Sequence, residues 1–144
     1  TWIYETENLV ARWEEIMINS EGLELTFKNI LPGDILCNFP LYVQLENEFE
    51  SYVFITISTS SELLLEYVNF NLPNFEMYND TYYYIAPTNS TKVLFSESIV
   101  FGTNIEDEFQ NSGVLENGFT LTFSVKQIVA TNTTLEEAYN TLFN

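Results

Sequence analysis

There is no histidine in this 144-residue chain, only one cysteine, and only four basic residues: Arg12, Lys28, Lys92 and Lys126. Each scarcity removes a class of function. Without His, no Ser-His-Asp triad, no His-ligated zinc and no HExxH metalloprotease site can be built. Cys37 has no partner for an internal disulfide, and its place in the apolar run Ile35-Leu36-Cys37-Asn38-Phe39 reads as a buried small hydrophobe. Against 21 Asp and Glu, the four cations leave a formal net charge of −17. Such a chain repels phosphate backbones and anionic headgroups, so nucleic acid and membrane surfaces are set aside as partners. No window approaches the roughly 18 consecutive apolar residues of a membrane span, and no membrane insertion is expected. Carboxylate chemistry, hard-metal binding or no chemistry at all remain.

What is present is apolar and aromatic. Hydrophobic residues make up 46% of the chain, with 12 Phe, 9 Tyr and 2 Trp, enough to bury a sizeable core in one domain. From Gly22 onward the pattern is that of β-strands. Leu23, Leu25 and Phe27 alternate with Glu24, Thr26 and Lys28, the period of a strand with one buried face. Leu31-Pro32-Gly33-Asp34 then supplies a turn. Phe39, Leu41, Val43 and Leu45 share the next face, and Pro40 withdraws a ladder donor, which predicts an edge or a bulge there. In residues 52–58 both faces are apolar enough to be covered. Thr81-Tyr82-Tyr83-Tyr84-Ile85 is a run of strong β formers, and residues 92–101 alternate with a slip at Ser96 to Ser98. The cleanest alternation is Phe119-Thr120-Leu121-Thr122-Phe123-Ser124-Val125, whose hydroxyl row is predicted to face water or a partner.

The ends differ from the middle. Thr134 followed by Glu137 is a capping-box pattern, and Leu135, Ala138, Tyr139 and Leu142 fall on one helical face, predicting a short C-terminal helix. At the other end, Leu9, Val10, Trp13, Ile16 and Met17 fit a helical face, while Ile3, Leu9, Ala11 and Trp13 share a strand's parity. Residues 1–20 are apolar enough to need burial, so the chain divides into this N-terminal segment and a β-sandwich domain over 21–144. It begins Thr1-Trp2-Ile3-Tyr4 without an initiator Met, compatible with a mature end left by signal-peptide removal or with a boundary inside a longer chain.

Several stretches together resemble the TasA and camelysin group of secreted bacterial proteins and the related archaeal bundling pilins. Thr1-Trp2-Ile3-Tyr4 is similar to the Thr-aromatic-Ala-aromatic start of that group, with Ile3 in place of Ala and Glu5-Thr6 in place of the Ser/Asn-Asp that commonly follows. Leu25-Thr26-Phe27-Lys28-Asn29-Ile30-Leu31-Pro32-Gly33-Asp34 resembles its first core strand and Leu-x-Pro-Gly-Asp turn. Residues 120–132 are similar to its last strand. The resemblance covers about half the chain. It implies an all-β, jelly-roll-like sandwich, localised outside the cell or at its surface, whose partners are identical subunits joined head to tail by donor-strand complementation. The polymerising residues it points to are Trp2, Ile3, Tyr4, Leu9, Val10 and Trp13. Camelysin is described as a metalloprotease; a His-free chain shows no known protease motif, so that activity is not carried over and no enzyme is expected.

Other residues carry alternative readings. Glu106-Asp107-Glu108, with Asn104 and Asn111 nearby, is a candidate calcium site, although it lacks the EF-hand spacing and acidic runs are usually solvated. Two positioned carboxylates would serve glycoside hydrolysis, but among so many acids some pair always lies at a plausible distance. Tyr78 with Tyr82-Tyr83-Tyr84 is a candidate sugar platform, although alternation sends Tyr83 to the face opposite Tyr82 and Tyr84. Asn79, Asn89 and Asn132 begin Asn-x-Ser/Thr sequons and are candidate glycosylation sites. The runner-up function is a monomeric extracellular module that binds carbohydrate or calcium.

Overall fold

A computed structural model describes residues 2–5, 16–105 and 113–144. The strands β1 (Trp2–Glu5), β3 (Leu23–Phe27), β6 (Ser51–Thr59), β8 (Glu76–Tyr78), β9 (Thr81–Ala86) and β12 (Phe119–Val129) form a six-stranded sheet in the order β1-β3-β12-β6-β9-β8. A second layer is built from β2 (Ile16–Ile18), β4 (Ile35–Cys37), β5 (Leu41–Gln44), β7 (Val68–Phe70), β10 (Lys92–Ser96) and β11 (Ile99–Phe101), in two three-stranded groups, β10-β5-β2 and β4-β11-β7. These groups are one pair of neighbouring segments bent in the middle: β4 leads into β5 across Pro40, and β10 leads into β11 across Ser96 to Ser98. The predicted slip is present as a register shift between Leu94 and Ser96, with the Ser96 hydroxyl donating to the Ser98 carbonyl at 2.8 Å.

The core between the layers follows the alternation in the sequence. Leu23, Leu25 and Phe27 on β3 face Phe119, Leu121 and Phe123 on β12, and all six are buried. Phe27, Phe95, Phe101 and Phe123 are among the largest fully buried side chains, and Phe95 meets the Phe75 ring edge-on at 5.0 Å and the Phe123 ring at 6.1 Å. Such pairs add to the area they bury, and each buried Phe contributes about 1.5–3 kcal/mol relative to exposure. Cys37 lies in this core, where burial pushes its thiol up from the ordinary range. The Pro32-Gly33 turn closes as expected: Gly33 has φ of 88°, the Asp34 amide donates to the Leu31 carbonyl at 3.0 Å, and Asp34 Oδ2 accepts from the Leu31 amide at 2.8 Å.

A helix covers part of the outer face of the six-stranded sheet. Besides the one-turn helices α1 (Glu62–Leu65) and α2 (Val114–Asn117), the chain forms α3 (Leu135–Phe143). The Thr134–Glu137 capping box is made in both directions, at 3.1 and 3.2 Å, and no basic residue lies in the last turn of α3. Its apolar face packs on Tyr52 and Phe54, the outward residues of β6, which explains why that strand is apolar on both sides. Ala138 is fully buried there, and the Tyr52 hydroxyl donates to the Thr133 carbonyl at 2.8 Å. Beyond the helix the same face turns polar: Thr56 and Ser58 on β6, Thr120, Thr122 and Ser124 on β12, and Thr26 on β3 form a patch of hydroxyls. The chain is therefore mostly β, with sheets packed together and one short C-terminal helix.

Candidate functional site

Among the described residues, the N-terminal strand pairs with the sheet on one side. β1 lies at the margin of the six-stranded sheet and runs parallel to β3, pairing Trp2 with Leu23, Ile3 with Glu24, Tyr4 with Leu25 and Glu5 with Thr26. The pairing is local main-chain chemistry over four residues. Trp2, Ile3 and Tyr4, three of the six residues singled out for polymerisation, thus lie in this strand, in register with residues of β3 that alternate between the core and the outer face. Leu9, Val10 and Trp13 lie outside the described residues. The end of the N-terminal segment is placed in the second layer, where β2 runs parallel to β5, and Ile16 and Ile18 are buried in the core. Residues 1–20 therefore contribute strands to both layers.

Between these two strands and β12 the sheet is incomplete. β12 has eleven residues; β6 pairs with it from Leu121 to Val129, whereas β3 pairs with it only from Phe119 to Phe123. The chain departs at Gly22, whose φ is 86° and whose position would bring a Cβ to 2.8 Å from the Phe123 carbonyl oxygen, so only glycine lets the backbone turn away so close to β12. Residues 124–129 consequently have β6 on one side and, among the described residues, no strand on the other. Beside this open edge lies a cleft of about 410 Å³ lined by Asn19, Gln44, Leu45, Glu46, Val125 and Gln127. Two of the lining residues are joined, Gln127 donating from Nε2 to the Glu46 carbonyl at 2.8 Å. Leu45 and Val125 supply apolar wall, three amides supply donors and acceptors, and Val129 is 45% exposed at the end of the strand. The open edge was missed in the sequence, because alternation shows which face a strand buries but not how far its neighbour extends.

The other candidates separate. Glu106, Asp107 and Glu108 lie outside the described residues, and among the described residues no three acidic, His or Cys side chains are grouped as a metal site. The sequon residues Asn79, Asn89 and Asn132 are exposed and all adopt positive φ, at 55°, 61° and 57°. Asn tolerates this left-handed conformation better than most residues, so each is explained by the turn it makes. The tyrosines split as alternation predicts: Tyr82 and Tyr84 pack on the core between the layers, Tyr83 on the outer face beside Phe54. Tyr78 packs against Tyr139 and Tyr83, with ring centroids 5.3 and 6.4 Å apart, so these rings cover each other instead of forming an open platform. The Tyr139 hydroxyl donates to Asp80 Oδ1 at 2.8 Å and the Tyr83 hydroxyl to Glu76 Oε2 at 3.0 Å, and each carboxylate bond raises its phenol above the usual range. No helix among the described residues is long and apolar enough to cross a membrane, which says nothing of a β-barrel. No protein-family model matches the chain, and no curated protein or solved structure resembles it significantly.

Proposed function

We propose that this chain is a structural subunit of an extracellular filament, a jelly-roll-like β-sandwich that polymerises by donor-strand complementation through its N-terminal segment. The observation that carries the reading is β1: a four-residue strand at a sheet margin, paired among the described residues with β3 alone and beginning with the uncharged Trp2, Ile3 and Tyr4. A strand held by main-chain pairing to one neighbour can exchange it for a strand edge of another copy, because the main-chain bonds offered there are of the same kind. A head-to-tail contact of that kind is heterologous, and when it does not close into a ring it makes a filament. The resemblance of the opening residues, the Pro-Gly-Asp turn and the last strand to the TasA and camelysin group supports the same reading and adds the extracellular setting.

Negative-stain images of purified protein at neutral pH test it directly. Fibres are expected from the full chain and none after removal of residues 1–12, with the far-UV spectrum of the shortened protein still that of a folded β domain. Fibres that persist without those residues, or a shortened chain that is molten, would defeat the proposal.

A further inference from the structure

We infer that the cleft beside residues 124–129 of β12 is the acceptor for the N-terminal strand of a second copy of this chain, an assignment that rests on the strand-exchange reading above. The open edge itself selects the class of ligand. A row of backbone N–H and C=O groups without a strand beside it is satisfied by an extended main chain and poorly by anything else. The side chains then narrow the choice. On the side of β12 that faces the second layer, the alternation Phe119, Leu121, Phe123, Val125, Gln127, Val129 runs out of cover. Phe123 is fully buried, Val125 is partly buried, and Val129 is 45% exposed. An incoming strand with apolar residues at alternate positions would bury Val125 and Val129 beside the already buried Leu45.

Charge and reach identify the strand. In a chain of net charge −17, the named cleft lining carries one charge, Glu46, so an uncharged strand enters and an acidic one is repelled. Trp2, Ile3 and Tyr4, the first three of the four residues of β1, are uncharged, and the one acid of the strand, Glu5, comes last. Edges are ordinarily guarded by an inward or flanking charge, but the lysine of this stretch is drawn elsewhere: Lys126 donates to the Leu142 carbonyl at 3.2 Å and sits 4.7 Å from the Phe143 ring, on the helix side of the sheet. Residues 6–15 join β1 to β2, and ten residues span at most about 33–36 Å. That length lets β1 leave its own β3 for a neighbour while β2 stays in the core of its own chain. The same strand thus has two seats, β3 of its own chain and β12 of the next, and assembly is the transfer from one to the other.

Photo-crosslinking of the full chain decides the assignment. Gln127 is replaced by photoreactive benzoylphenylalanine, and isotopically labelled and unlabelled copies are mixed under fibre-forming conditions. Irradiation is expected to give dimers in which position 127 of one copy is bonded to a peptide within residues 1–12 of another. A cross-link to any other segment, or none in intact fibres, overturns the assignment. As a second arm, the double variant V125E/V129E is expected to raise the concentration needed for fibre growth by at least about tenfold, since two charges would be buried unpaired. Unchanged growth from a variant with an unchanged melting curve also overturns it. If removal of residues 1–12 leaves fibres intact, the strand-exchange reading itself falls. If removal abolishes fibres but the cross-link avoids residues 1–12, only the acceptor is wrong.

Discussion

The two margins of the six-stranded sheet are built on opposite plans. At one margin, β8 is three residues long, begins with Glu76 and turns at once into β9 through Asn79 and Asp80. Both acids are tied down by phenols, Glu76 by Tyr83 and Asp80 by Tyr139 of α3. Short length, charge and a helix bound alongside are the recognised means of stopping a sheet from growing. The other margin is guarded less: β1 is also short, at four residues, but meets a charge only at its last residue, Glu5. β1 opens with uncharged residues, and half of β12 continues past the end of β3 with Val129 exposed. A sheet guarded more at one side than at the other adds a strand more readily at the second, which suits directional growth better than mutual stacking.

Experiments can break this contrast from either side. The largest effect is expected at the open margin: removing residues 1–12 eliminates fibres at every accessible concentration, read by sedimentation and electron microscopy. At the guarded margin, Phe54→Ala removes the fully buried ring that α3 sits on, which also contacts Tyr83, Tyr139 and Phe143. A loss of about 3–5 kcal/mol in urea unfolding is expected, and the freed margin should make that variant aggregate without regular fibres. A smaller effect comes from the solvent. Subunits of charge −17 repel when stacked, and this repulsion is screened within about 10 Å at 0.1 M salt. Fibres should therefore grow faster with added salt or divalent ions, and fibres equally stable in EDTA at very low ionic strength would contradict this. The smallest effect concerns the Tyr139–Asp80 bond, which needs the phenol proton. Its folded-state value is raised above the unfolded value of about 10. The contribution is thus complete below the unfolded value and lost as pH rises through the folded one. Tyr139→Phe should therefore melt slightly lower than the parent chain at neutral pH, and the two melting profiles should converge as pH rises through the folded value.

Much of the two layers was legible in the sequence because strands with one buried face announce themselves. Leu23, Leu25 and Phe27, and Phe119, Leu121 and Phe123, are buried where their period of two puts them, and the Thr134–Glu137 box marks the start of α3. Pro40 and the serines at 96 and 98 mark the bends of the second layer because each disturbs a ladder locally. The N-terminal strands were harder. β1 and β2 are three or four residues long and parallel to their neighbours, too short to show a period, so the helical and strand parities of residues 1–20 competed on equal terms. The one-turn helices α1 and α2 are likewise too short to show a period, and Leu115, though buried, stands in a stretch of sequence rich in polar and acidic residues. The two-sided apolarity of β6 was visible, but only the folded chain shows that the cover over Tyr52 and Phe54 is α3. The open edge of β12 depends on where β3 stops, a relation between segments almost a hundred residues apart that no local pattern encodes.

That separation also sets an order of events. The strand at the middle of the six-stranded sheet, β12, comes after all the others in the chain, and it stands between β3 and β6. During synthesis or passage through a narrow channel, β3 and everything paired to it must wait for residues near the other end of the chain. Contacts so distant in sequence form slowly, because the loop must close before any bond rewards it. Until β12 arrives, β1 has no finished sheet to rest on, and a strand kept waiting is available to whichever edge presents itself first. The late position of one central strand thus turns chain order into timing: if subunits exchange β1 as proposed, the choice between folding back and joining a neighbour falls in the last step of folding.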